Sequence, residues 1–169
     1  MMQLLTQHTD YALRALLMLA DHPDSYLSAR HIAEKQEIPY QFLRGLLQEM
    51  PREGLICSHE GAHGGVGLNR DPGSISVRNV IELFQGKVEL SECMFRKQLC
   101  SNRSRCVLRH QIMRIESVVA REFDRITIGS LLNDLHAVDR MNHETSISPA
   151  ISGILTNTQK YHETNDSQY

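Results

Sequence analysis

The residues with most chemistry to offer lie in ECMFRKQLCSNRSRC, Glu92 to Cys106, where Cys93, Cys100 and Cys106 follow a C-x6-C-x5-C spacing. Packing is a poor reason for thiols this dense. The residues between them include Arg96, Lys97, Gln98, Ser101, Asn102, Arg103, Ser104 and Arg105, which build no apolar core. The four cations favour the thiolate, the form that binds metal, and offset the negative charge of a thiolate-held cluster. Metal or cluster ligation is therefore the leading reading, ahead of redox disulfide chemistry. Zinc asks for four tetrahedral ligands, and His110 would complete a set of three cysteines and one histidine, but the tight C-x2-C knuckles frequent in structural zinc sites are missing. An iron-sulfur cluster on three thiolates leaves one position for a ligand other than cysteine. Cys57 falls in a predicted strand, where a cysteine usually serves as a small buried hydrophobe.

These thiols need a scaffold, and the periodicity supplies one. A helix is expected from Thr9 to Ala20, with Thr9 or Asp10 as its N-cap and Leu13, Leu16, Leu17 and Ala20 on one side. Ser28 caps a short helix, ARHIAEKQ, that turns Ile32 and Ala33 to the core. Another helix starts at Pro39, a residue suited to a first turn. Phe42, Leu43, Leu46, Leu47 and Met50 share one face of it, and Tyr40, Gln41, Arg44 and Gln48 the other. Pro51 kinks or ends it, Gly54 stops it, and LICSHE and GVGLN flank the Gly-rich GAHGG as a hairpin. Helix, helix, turn, helix and hairpin is the order of a winged helix-turn-helix, a mostly α fold with a small β wing.

Beyond the hairpin, Ser76 caps VRNVIELFQ, closed by Gly86. From Leu108 a further helix carries Ile112, Ile115, Val119 and Ile126 at a spacing suited to packing against a second helix, which suggests a homodimer. After Leu135 the polar composition predicts a flexible tail. The expected organisation is a DNA-binding winged helix over 1–86, a cysteine loop over 87–107, a dimerisation helix and closing segment over 108–135, and the tail over 136–169.

The chain has 169 residues with 18 basic and 20 acidic groups, a net charge of -2 that by itself argues against nucleic acid. Residues 1–90 carry 8 basic and 11 acidic groups, residues 91–129 carry 8 and 4, and residues 130–169 carry 2 and 5. The positive charge is thus concentrated at the cysteines. A composition of 41% hydrophobic and 22% charged residues excludes a wholly disordered chain. With no long apolar run and no basic leader, the expected location is cytoplasmic, with no membrane partner.

Taken together, TDYALRAL, SARHIAEKQEIPYQFLRGLLQEMPREGLI, the Gly-rich wing, the three-cysteine loop and ITIGSLL resemble the iron-sulfur winged-helix regulators of the IscR, NsrR and RirA type, over roughly residues 1–135. The resemblance implies a homodimer that binds double-stranded operator DNA and senses iron, cluster supply, oxygen or nitric oxide. It implies a cluster on Cys93, Cys100 and Cys106, with 4Fe–4S ahead of 2Fe–2S. Asp10 in TDYALR matches the fourth ligand of the NsrR-like branch, given to the cluster of the other subunit. His110 stands near the ligand of the IscR-like branch, at one residue more than the usual spacing.

For DNA, the resemblance implies base contacts by Tyr40, Gln41 and Arg44 at the start of the reading helix. Ser28, Pro39 and the wing residues His63, Gly64 and Gly65 lie close to the duplex. Glu60 stands where IscR-like wings carry an arginine, which weakens the expected wing contact and either narrows the operator class or leaves the wing to phosphates alone. The expectation is a nitric oxide-responsive regulator rather than an enzyme. Alternatives are a regulator of iron or cluster homeostasis, a zinc-stabilised regulator, and an electron-transfer subunit. The last is disfavoured by the absence of a nucleotide-binding Gly loop or a second cluster motif.

Overall fold

The computed structural model describes residues 4–61, 64–89 and 105–146. Its first helix, α1 (Gln7–Ala20), is capped by Thr6, whose side chain accepts the Thr9 N–H at 3.4 Å. This corrects the expected cap at Thr9 or Asp10. Thr9 is instead fully buried, and its hydroxyl donates to the side-chain oxygen of Gln85. The buried residues of α1 are Thr9, Ala12, Ala15, Leu16, Met18, Leu19 and the expected Ala20, with Leu13 and Leu17 half-buried at the edges.

Ser28 caps α2 (Ala29–Gln36) by accepting the His31 N–H, as expected. The turn to the next helix closes on Glu37 in the left-handed region at φ 54, a conformation few residues other than Gly, Asn or Asp adopt readily. Pro39 precedes α3 (Tyr40–Glu49) as its cap residue rather than as its first helical residue. Pro51 ends the α-helical pattern: Met50–Glu53 tighten into a 3-10 turn, and Gly54 at φ 64 terminates it. Leu43, Leu46, Leu47 and Met50 enter the core beside Leu16, Leu19, Ile32, Leu55 and Ile56. Each fully buried Leu or Ile of this set contributes roughly 1.5–3 kcal/mol relative to exposure.

The hairpin pairs β1 (Ile56–His59) with β2 (Gly65–Leu68), in the register Ile56 to Leu68 and His59 to Gly65. Leu27 closes the other edge of β2, exchanging two backbone hydrogen bonds of 2.9 Å with Val66. The chains approach so closely there that a Cβ on Gly65 would lie 2.6 Å from the Leu27 carbonyl oxygen.

Ser76 and Asn79 form a reciprocal capping box on α4 (Val77–Gln85), and Gly86 ends it at φ 78. The next helix, α5 (Val107–Arg125), stops before Ile126, which is extended and not part of the expected helical seam. Ile126 accepts the Val77 N–H at 2.8 Å, and Ile128 donates its N–H to the Ile75 carbonyl at 2.9 Å. Arg78 bonds Glu82 at 2.8 Å and Asp124 at 2.9 Å, so that α4 and the end of α5 share one cation. Those bonds, Glu82 first, raise the Arg78 guanidinium above its ordinary range. The last helix, α6 (Ile128–Ser146), extends into the segment expected to be a flexible tail. The chain divides into one unit ending at Leu132 and another beginning at Asn133. In the first, Ile128 is fully buried and Leu132 packs on the core. In the second, the helix exposes Leu135, Val138 and Met141.

Two substitutions test this frame. Gly65→Ala forces β2 away from Leu27 and should cost about 1–3 kcal/mol of stability, read as a lowered thermal midpoint; an unchanged midpoint would refute the close approach. Gln85→Ala removes the acceptor of the buried Thr9 hydroxyl and should cost about 1–3 kcal/mol. Urea titration measures it, with equal midpoints for variant and wild type counting against the bond.

Candidate functional site

A helix-turn-helix presents α3 because its other face is committed to the core. Phe42 lies 4.6 Å from the His8 ring and 5.6 Å, edge-on, from that of Tyr11, which fixes α3 against α1. Gln41, Arg44, Gly45 and Gln48 are left on the exposed side. Of the residues expected there, Tyr40 alone is half-buried, with the Arg30 guanidinium 5.4 Å above its ring. Ser28 is exposed at the start of α2, its hydroxyl engaged by the His31 N–H, and Pro39 is exposed just ahead of α3. The N-termini of both helices carry unpaired backbone donors of the kind that receive phosphate.

The wing places a second surface near Leu27. Gly64 donates its N–H to the Gly61 carbonyl at 2.9 Å, and a Cβ on it would sit 2.5 Å from the His59 carbonyl oxygen. Gly64 and Gly65 therefore have packing reasons to be glycine. His63 lies outside the described residues. Sequence reasoning missed a stacked pair at the turn end of β1, Tyr26 over His59 with ring centroids 5.0 Å apart. Gly67 makes room for it, since a Cβ there would already press on the Tyr26 ring at 3.2 Å. Only the alternation of Gly65 and Gly67 in β2 hinted at this.

Of the expected metal donors, Cys93 and Cys100 lie outside the described residues. Cys106 is the N-cap of α5: its half-buried sulfur accepts the Arg109 N–H at 3.4 Å. Among the described residues it has no disulfide partner, and a sulfur that receives N–H bonds has the polarity that ligating thiolates keep. His110 stands one turn further, its N–H bonded to the Cys106 carbonyl at 3.2 Å, on the same side of the helix. Asp10 is exposed in the first turn of α1, 3.7 Å from Arg14, and does not cap the helix. Its carboxylate is thus accessible to a ligand, and oxygen from Asp10 with sulfur from Cys106 suits an iron-sulfur group. Cys57 lies in β1 as expected, but it is half-buried rather than a buried hydrophobe, with its sulfur 3.8 Å from the carbonyls of both Gly67 and Leu68. Among the described residues, no three His, Cys, Asp or Glu side chains converge on a metal position. Nor is any helix there long and apolar enough to cross a membrane.

Gln85 is the residue near these donors that sequence reasoning passed over. Its oxygen receives the Thr6 N–H at 2.8 Å and the Thr9 hydroxyl, and its nitrogen donates to the Leu4 carbonyl at 3.2 Å. It therefore fixes the first turn that carries Asp10 to the end of α4, the helix that leads into the cysteine segment.

Comparison with known proteins accords with this architecture. The Rrf2 family, described as iron-dependent transcriptional regulators, matches residues 5–134. The HTH-type transcriptional regulator NsrR of Shouchella clausii is 30% identical over 139 residues, covering 79% of this chain and 93% of that protein. IscR of Yersinia pseudotuberculosis is 31% identical over 146 residues, covering 83% and 88%. The solved structure of T. potens IscR superposes with a TM-score of 0.63 at 24% identity, over 78% of this chain and 87% of that one, which speaks for the fold alone. A winged helix with an exposed α3 face, matched to this family over most of its length, identifies a transcriptional regulator rather than an enzyme: the chain belongs to the Rrf2 family.

Proposed function

We propose that the chain acts as a cytoplasmic homodimer that binds operator DNA under the control of an iron-sulfur cluster, and that its signal is nitric oxide. Residues Cys93, Cys100 and Cys106 would hold the cluster, of the 4Fe–4S type, with the partner's Asp10 as fourth ligand. The observation that carries this reading is the pairing of an exposed α3 face with Cys106 at the first turn of α5: ligand binding at Cys106 acts directly on a helix fastened to the reading head. When bound, the cluster supplies iron that takes up nitric oxide. Asp10 favours this signal, because a carboxylate is a hard, exchangeable donor among soft thiolates. Its exposure and its freedom from capping duty support that role.

Homodimer formation is supported by α5 itself. None of its residues is buried, although Leu108, Ile112, Ile115 and Val119 recur at helical spacing. Leu108 is 67% and Ile115 53% exposed, an apolar stripe that a second copy would cover. At the DNA, Gln41 is suited to adenine and Arg44 to guanine, with Ser28, the residues around Pro39 and the wing at Gly64 and Gly65 following the phosphates. A second reading, iron or cluster homeostasis, is favoured by one observation: His110 lies on the same side of α5 as Cys106 and would replace Asp10 as ligand.

Anaerobic visible spectroscopy of the purified chain, titrated with nitric oxide while binding to a duplex enriched from a random pool is followed, tests these readings. Iron and sulfide should be present, and nitric oxide should release the duplex. Cys106→Ser keeps a capping oxygen for α5 and should retain helical circular dichroism while losing the visible absorption. Asp10→Ala should change the nitric oxide response and His110→Ala should not. The reverse pattern selects the homeostasis reading, and a chain that carries only zinc removes the cluster.

A further inference from the structure

Gly45 occupies the middle of α3 on its exposed side, between Gln41 one turn before and Gln48 one turn after. Its backbone gives no reason for glycine, because positive φ among the described residues belongs only to Glu37, Gly54, Gly61 and Gly86. Packing gives none either: a Cβ on Gly45 would meet no atom within 4 Å. Gly64 and Gly65 differ in this respect, with backbone atoms 2.5 and 2.6 Å from such a carbon. A solvent-facing glycine in a helix interior only weakens the helix relative to alanine. The isolated fold therefore gains nothing from the missing side chain, and its use has to lie with a body outside the chain.

We infer that Gly45 is a specificity-determining position of the reading helix, where the absent side chain lets α3 seat deep in the major groove. This rests on the DNA-reading role proposed for α3. A helix with its side chains is about 10–12 Å across and the major groove about 12 Å wide, so the size of each side chain on the inward face sets how closely the backbone approaches the bases. A side chain at 45 would stand between Gln41 and Gln48, holding the backbone off the base edges. Gln41, Gln48 and Arg44 would lose the short, directional hydrogen bonds that discriminate bases. Phosphate contacts from the ends of α2 and α3 tolerate the displacement better, because they follow charge rather than base pattern.

The test uses the full chain, purified anaerobically, and the duplex that wild type enriches from a random pool. Gly45→Ala should raise the thermal midpoint by a few degrees, about 2–4 °C, and weaken binding to that duplex about tenfold or more. Binding to an unrelated duplex should change less than about twofold. Gly45→Leu should weaken specific binding further with helical content intact. A lowered midpoint in Gly45→Ala would mean that the fold itself needs the glycine and would overturn the inference. So would specific binding within about twofold of wild type. If wild type enriches no duplex at all, the DNA reading of α3 fails and this inference with it, whereas enrichment with equal binding by Gly45→Ala removes the inference alone.

Discussion

Two backbone hydrogen bonds join the end of α5 to the segment that starts α4. The Val77 N–H reaches the Ile126 carbonyl, and the Ile128 N–H reaches the Ile75 carbonyl, so that Ser76 and Thr127 face each other as a single antiparallel bridge. Around it the side chains add direction. Asp124 accepts from Arg78, and at 3.4 Å from the Ser76 hydroxyl, placing a carboxylate at the N-terminal end of α4 where the helix dipole favours it. Gly129 fits against the Pro72–Gly73 turn, where a Cβ would lie 3.0 Å from the Gly73 nitrogen. The exposed ion pairs alone add at most about 1 kcal/mol each. The bridge matters more for geometry than for energy, because it sets the angle at which α5 leaves the winged helix.

That angle links Cys106 to α3 on the proposed reading. The sulfur begins α5 and the bridge ends it, so a change of ligation at one end is delivered to α4 at the other through a helix of nineteen residues, about 28 Å of fairly rigid rod. A second route runs through Gln85, which ties the Asp10-bearing turn of α1 to the end of α4. Since α1 also carries the Tyr11 and His8 rings that seat Phe42, any shift of its first turn is felt by α3. On the proposed reading Asp10 sits close to the reading helix, on the α1 that seats it, and Cys106 reaches α3 through α4 and then α1. A regulator needs such connections if ligand occupancy is to change DNA affinity through a coupling free energy between sites.

Local signals were legible where local chemistry decides. Ser28 and Ser76 read as caps, Pro51 and Gly54 as the stop of α3, and the Leu43, Leu46, Leu47 and Met50 face as core, because each rests on backbone donors or on spacing within a few residues. The start of α1 did not, since its cap depends on which threonine a residue far along the chain recruits: Gln85 takes Thr9 into the interior and leaves Thr6 to the helix end. Ile126 has the right interval for a helical seam, but its carbonyl is claimed by Val77, and tertiary pairing overrides periodicity there. The helix beyond residue 135 was hidden by polar composition, although Leu135 and Val138 keep helical spacing. Of the site, the face of Gln41 and Arg44 was readable, whereas the packing reasons for Gly64 and Gly65 appear only once Leu27 and His59 are seen beside them.

The acidic balance of the reading half also changes meaning in three dimensions. Arg14, Arg52 and Arg78 lie beside Asp10, Glu49 and Glu82, so these cations are largely offset where they stand. Arg30 and Arg44 have no such carboxylate among the described residues, and both are exposed, on α2 and α3. Lys35 on α2 is likewise without a carboxylate partner among the described residues, so the helix-turn-helix holds three cations left uncompensated, with Arg70 and Lys87 elsewhere in the domain. At physiological salt the Debye length is about 8 Å, so a phosphate touching α3 responds to these nearby charges far more than to the domain's total. On the proposed reading, a head of this kind gains little from bulk attraction to any duplex, and its affinity would come from base contacts by Arg44 and its neighbours on the same face.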